Sequence, residues 1–120
     1  GGSSYINASE YRYSVSNQHD GATTYYQINA TSATYLRVTR VIADAGTNCN
    51  LVLYFSGHAT TSEYMPVMWN SCFNAGINST EWWHGQGGWN QTTNVDAVQL
   101  LGRGGTFNTG RATLYGIKHS

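Results

Sequence analysis

Apolar and polar positions alternate most cleanly near the start of the chain. In Tyr11-Arg12-Tyr13-Ser14-Val15-Ser16 the residues Tyr11, Tyr13 and Val15 fall on one face of a strand. Asp20-Gly21 marks a turn, and residues 23–28 alternate again with Tyr26 and Ile28 inward and Tyr25 outward. Residues 34–43 form the longest strand candidate. Its phase slips after Val38, because Leu36 and Val38 share a face while Val41 and Ile42 sit side by side, so a β-bulge is expected near Arg40. After the turn signal Ala45-Gly46-Thr47-Asn48, the unbroken apolar run Leu51-Val52-Leu53-Tyr54-Phe55 reads as a strand covered on both faces, central in its sheet. Residues 64–69 form a further strand that Pro66 assigns to an edge or a bulge.

From Asn70 to Asn94 the texture changes to small polar residues, glycines and tryptophans. This stretch reads as a long decorated loop with at most one short strand. Two more strands, over 95–101 and 111–117, close the domain as a hairpin. No stretch sustains a helical period. Strands are therefore expected over 11–16, 23–28, 34–43, 50–56, 64–69, 95–101 and 111–117, with Tyr13, Val15, Ile28, Leu36, Val38, Leu53, Phe55, Val98, Leu100 and Leu114 in the core. Short strands at this spacing with Gly/Asn turns predict an all-β fold: an antiparallel β-sandwich, jelly-roll-like, of about 7–8 short strands.

Composition narrows the functional classes. Of 120 residues only 10% are charged, far below the usual quarter, and the formal net charge is zero. With no basic run, the electrostatic footprint of a nucleic-acid binder is missing. No apolar run is long enough to insert into a membrane. Gly1-Gly2-Ser3-Ser4 reads as a linker or a vector-derived scar, leaving residues 5–120 as one head domain, and the start reads as a truncation. Cys49 and Cys72 are too few for a zinc site or a disulfide framework. Two buried free thiols are favoured over one cross-strand bridge. Four Asn-x-Ser/Thr sequons, at Asn7, Asn29, Asn78 and Asn90, are weak evidence of secretion in so Asn- and Thr-rich a chain.

The strongest candidate site is Trp82-Trp83-His84-Gly85-Gln86-Gly87-Gly88-Trp89. Three indoles in a segment too glycine-rich to build a core suggest stacking faces for a sugar ring, at Trp82, Trp83 and Trp89. His84, Gln86 and Asn90 are the expected partners for its hydroxyls. The competing structural role is that Trp83 or Trp89 plugs one end of the sandwich. Catalysis is not expected: Glu10, Asp20, Asp44, Glu63, Glu81 and Asp96 are scattered, and no pair has a spacing that suggests a glycosidase. His19, His58, His84 and His119 do not lie at metal-ligand spacing, and no cofactor motif is present. His19-Asp20 reads as a solvated turn.

The end of the chain carries a family resemblance. Val95, Ala97, Val98, Gly110, Leu114, Tyr115, Gly116 and Ile117 match the pattern "V-x-A-I-x-F", a turn, then "G-x-x-x-L-Y-G-I". That pattern resembles the closing hairpin of many phage and prophage tail-fibre and spike proteins, and it covers about a quarter of this chain. Such proteins usually carry a longer middle between the equivalents of Phe55 and Val95, so no binding residue transfers by motif. The resemblance implies a non-enzymatic receptor-binding head in the virion, attaching to host-surface polysaccharide or glycan. It also implies a homotrimer, in which outward-facing Tyr115 and Ile117 would meet a partner chain. The alternatives are a virion structural or decoration domain without ligand, and a secreted, extracellular lectin-like carbohydrate-binding module.

Overall fold

The computed structural model describes residues 9–20, 25–39, 48–55, 64–76, 79–91, 98–101 and 109–116. The described residues form five strands: β1 (Tyr11–His19), β2 (Tyr26–Ala33), β3 (Cys49–Phe55), β4 (Pro66–Gly76) and β5 (Ser79–Trp89). All pairings are antiparallel, in the order β2-β1-β5-β4-β3. The described residues contain no helix. The all-β class therefore holds, as a single five-stranded antiparallel sheet.

Chain order and sheet order differ at one place, and that difference organises the molecule. β3, β4 and β5 form a meander, and β5 then pairs along its length with β1, from Tyr11 opposite Trp89 to His19 opposite Glu81. Both ends of this junction are locked by further bonds. The Asn90 amide donates to the Glu10 carbonyl at 2.9 Å, and the Asp20 amide to the Thr80 carbonyl at 2.9 Å. The Thr80 amide donates in turn to Asp20 Oδ1 at 3.0 Å, so the expected solvated turn at His19-Asp20 is tied to β5.

Because facing residues of paired strands share a side, the register defines two faces. One row reads Ile28, Val15, Gly85, Trp69, Leu53 across the five strands, and its neighbour Tyr26, Asn17, Trp83, Ser71, Leu51. This face holds the core: Val15, Val67, Trp69, Phe73 and Trp83, with Tyr13, Ile28, Leu36, Val38, Leu51, Leu53, Phe55 and Met65 packed around them. Tyr26, expected inward, is exposed at the β2 edge of this face, where the core does not reach.

Part of the cover is the connection from β2 to β3. β2 and β3 lie at opposite ends of the strand order, so the chain must cross the sheet between them. Arg37 lies over the Trp83 ring of β5 at 5.2 Å. The Val38 carbonyl accepts a 2.9 Å bond from Ser71 Oγ of β4, and Thr39 Oγ1 lies 3.8 Å from Cys49 Sγ of β3. Three successive residues thus step over three successive strands. The expected strand over 34–43 is corrected: its described part, 34–39, is not in a strand. Leu36 and Val38 pack against the core as part of the covering layer. The expected bulge near Arg40 lies outside the described residues; irregularities fall instead between Tyr11 and Tyr13 and between Asn74 and Gly76.

Other expectations are revised as well. β3 is the last described strand in the order, with Val52 and Tyr54 exposed on one face, not the doubly covered central strand its apolar run suggested. β4 lies between β3 and β5, with Pro66 as its first residue, where a missing amide hydrogen is tolerated. The segment read as a decorated loop instead supplies the end of β4 and all of β5. Within the closing hairpin, the described residues 98–101 and 109–116 are in no strand, and Val98, Leu100 and Leu114 are exposed, not core. Alternation cannot assign an inward side where the described chain supplies no facing layer.

β5 is glycine-rich because its neighbours need the room. A Cβ on Gly85 would overlap the Trp69 indole, and one on Gly87 would overlap the Arg12 carbonyl oxygen and lie 2.8 Å from Tyr13 Cβ. Glycine weakens an ordinary strand, but here it lets the Trp69 ring of β4 and the Arg12–Tyr13 backbone of β1 approach the central one closely. A Gly85→Ala substitution is expected to cost about 1–3 kcal/mol, as overpacking of a tight core does. Urea unfolding followed by tryptophan fluorescence checks this; a variant as stable as the parent would show that the Trp69 ring can move aside.

Candidate functional site

Among the described residues, no layer covers the opposite face of the sheet. Its rows are Gln27, Ser16, His84, Asn70, Val52 and then Asn29, Ser14, Gln86, Met68, Tyr54, with Gln18, Trp82, Cys72 and Asn50 beyond His84. Seven of these side chains border a shallow trough of about 420 Å³: Ser14 and Ser16 from β1, Gln27 from β2, Met68 and Asn70 from β4, and His84 and Gln86 from β5. Gly85 and Trp69 complete its lining. A smaller hollow of about 110 Å³ between Tyr54, Phe55, Pro66 and Met68 lies alongside.

The trough is a hydrogen-bonding surface with its partners left open. Gln27 Nε2 donates to Ser14 Oγ at 3.2 Å, which fixes one amide across β1 and β2. Among the described residues, none hydrogen-bonds the side chains of Ser16, Asn70, His84 or Gln86. Amides and hydroxyls offer donors and acceptors together, and an imidazole can do the same through its two nitrogens. One end carries an aromatic cluster. The half-buried Trp82 ring meets His84 edge-on at 4.5 Å and tilts against Tyr25 at 5.8 Å. The other side is bounded by exposed Met68 and Tyr54.

Of the residues singled out by sequence, Trp82, His84 and Gln86 come together on this face, at alternate positions of β5. Asn90 is exposed just beyond the strand and does not border the trough. Trp83 and Trp89 are not stacking faces: strand alternation turns both to the covered side, where they are 2% and 7% exposed. Each indole nitrogen donates to a carboxylate there, Trp83 Nε1 to Glu81 Oε1 at 2.7 Å and Trp89 Nε1 to Glu10 Oε2 at 2.9 Å. Glu10 also accepts from Gln91 Nε2 at 3.1 Å, and burial together with Glu10 holds the Tyr11 phenol above its ordinary pKa. These anchors make both tryptophans packing elements, the structural role weighed for them in the sequence. Tyr115 is exposed, and Ile117 lies outside the described residues.

Sequence reasoning missed Ser14, Ser16, Gln27, Asn70 and Tyr54. The signal for the two serines was present, since Ser14 and Ser16 alternate with the inward Tyr13 and Val15. The signal for Asn70 was hidden by reading its segment as a loop. Both cysteines are free. They stand on adjacent pairs of the β3–β4 ladder, Cys49 opposite Phe73 and Cys72 opposite Asn50, which sends them to opposite faces. Both are exposed, which corrects the expectation of buried thiols. The Cys49 thiol is pushed up chiefly by burial, and also by Cys72, against the lowering bond to Thr39. Among the described residues, no group of three or more His, Cys, Asp or Glu is placed to hold a metal ion.

If Glu81 anchors Trp83, Glu81→Ala should cost about 1–3 kcal/mol by leaving a buried indole N–H unpaired, and Glu81→Gln, which keeps an acceptor oxygen, much less. Thermal melting of the two variants checks the difference. Equal melting temperatures would remove the anchor from the account. Compared with protein-family models, curated proteins and solved structures, the chain gives no match.

Proposed function

We propose that the domain is a non-enzymatic glycan-binding head whose open sheet face, centred on His84 and Gln86, carries the site. The observation that supports this best is the trough itself: the side chains of Ser16, Asn70, His84 and Gln86, which hydrogen-bond to none of the described residues, beside the aromatic pair Trp82 and Tyr25. Sugar hydroxyls both donate and accept, and the apolar face of a sugar ring packs on aromatic or thioether surface. The resemblance of the C-terminal segment to phage tail-fibre and spike proteins makes a host-surface glycan the ligand and the virion the location. In that reading the described sheet is half of a two-layer β-sandwich, and three copies assemble with Tyr115 and Ile117 at their contact. A domain serving virion assembly alone would leave the trough without a ligand.

The face assignment is tested by comparing variants on the two sides of β5. On immobilised host-surface polysaccharide, Trp82→Ala, His84→Ala and Gln86→Ala should each weaken binding by about tenfold, with melting unchanged. Trp83→Ala should instead lose about 3–5 kcal/mol of stability, as the loss of a buried tryptophan does. Full binding by all three open-face variants would place the site elsewhere.

A thiol gives a second test without altering the trough. Cys72 sits opposite Trp82 on the open face. With Cys49 replaced by Ser, a bulky maleimide on Cys72 should block binding. With Cys72 replaced by Ser, the same reagent on Cys49, which faces the covered side, should not. Equal loss from both labels would count against a site confined to the open face.

A further inference from the structure

We infer that the trough selects uncharged glycan chains lying across the strands, an inference that rests on the glycan-binding reading. The carrying observation is where the charges are. Among the described residues, the acids are Glu10, Asp20 and Glu81. Glu10 holds the Trp89 and Gln91 side chains, Glu81 holds the Trp83 indole on the covered side, and Asp20 caps the β1–β5 junction through the Thr80 amide. The described bases are Arg12, Arg37 and Arg111, and none borders the trough. Arg37 is engaged over Trp83 beneath the sheet, while Arg12 stands opposite Gly88, beyond the Ser14–Gln86 row.

Among the described residues an anionic sugar would therefore meet no guanidinium or ammonium in the trough lining, Arg12 standing on the same face outside it. The backbone offers no substitute, because the amides of the paired strands are spent in the ladder. Desolvating a carboxylate or sulfate there would be offset by neutral donors alone, without an opposite charge. A neutral ring meets no such cost, and its hydroxyls fit the mixed donors and acceptors of Ser16, His84, Asn70 and Gln86. Orientation follows from the register. The row Gln27, Ser16, His84, Asn70 runs across four adjacent strands, so its polar groups recur at the strand separation of about 4.8 Å. A chain lying along this row meets a fresh polar side chain at every strand it crosses.

The test uses the 120-residue chain. Binding to mannan, dextran and galactan is compared with binding to hyaluronan and heparin, at about 50 and about 500 mM NaCl, because added salt screens ionic attraction and leaves neutral contacts intact. The expected result is binding to at least one neutral polymer that changes less than about twofold with salt, with no salt-resistant binding to the anionic ones. Gln86→Lys adds a sign test. It should weaken binding to the neutral polymer by about tenfold while melting like the parent, because an amide partner is lost. Preference for an anionic polymer, lost at high salt and strengthened by Gln86→Lys, would overturn the neutral-chain inference and leave glycan binding standing. Neutral binding indifferent to Gln86→Lys would overturn it too, by moving the contact off the trough. Binding to none of the five polymers would remove the glycan reading and this inference together.

Discussion

The Trp69 indole lying over Gly85 is the contact on which the rest of the sheet depends. Trp69 comes from β4 and Gly85 from β5, so the ring fills the space that a side chain on the middle strand would otherwise take. At 1% exposure the indole is fully buried, and among the described residues its Nε1 has no hydrogen-bond partner. That unpaired N–H costs about 1–3 kcal/mol. Burying an aromatic of this size returns on the order of 5 kcal/mol at about 25 cal/mol per Å². Packing wins. The arrangement also requires glycine at position 85, and the same logic holds at Gly87, against Tyr13 and the Arg12 carbonyl.

Concentrating the large rings on one face has a consequence for the other. Trp69, Trp83, Phe73 and Val15 take the covered side, and strand alternation then assigns every second residue of the same strands to solvent. Those bordering the trough are serines, amides, a histidine and a methionine, with Trp82 at one end. A sheet stabilised from one side can keep such a face open without losing its core, and a flat polar face bounded by Trp82, Tyr54 and Met68 is available for recognition. Placing the site on central strands, not on a loop, also holds its side chains in a fixed lateral spacing.

The crossing segment 34–39 links the two halves of this design. It carries the chain from one side of the strand order to the other and closes over Trp83, Ser71 and Cys49 as it goes. The β1–β5 junction depends on it in turn, because Val15 and Trp83 of those strands are packed in the core that Leu36 and Val38 help cover.

The sequence by itself determined the all-β class and the inward phase of Tyr13 and Val15, because period-2 patterning is a local property of the chain. The alternation that separates Trp82, His84 and Gln86 from their neighbours was hidden by reading their segment as a loop. The sequence also carried the chemistry of the candidate site, since Gly-x-Gly-Gly between tryptophans is visible as a string. Tertiary structure alone decided which face of β5 met solvent. Trp82 and Trp83 are adjacent and chemically identical, and only pairing with β1 and β4 sends one to the trough and the other to Glu81. The same holds for Gly85 and Gly87, which look like loop residues until the ring or backbone that occupies their missing side chains is known. Leu36 and Val38 have strand-forming character, yet the sheet needed a cover and a route between its ends, and burial there outweighed intrinsic preference. Leu114 and Tyr115 show the converse: local alternation proposes an inward side, but a side becomes inward only when another surface faces it.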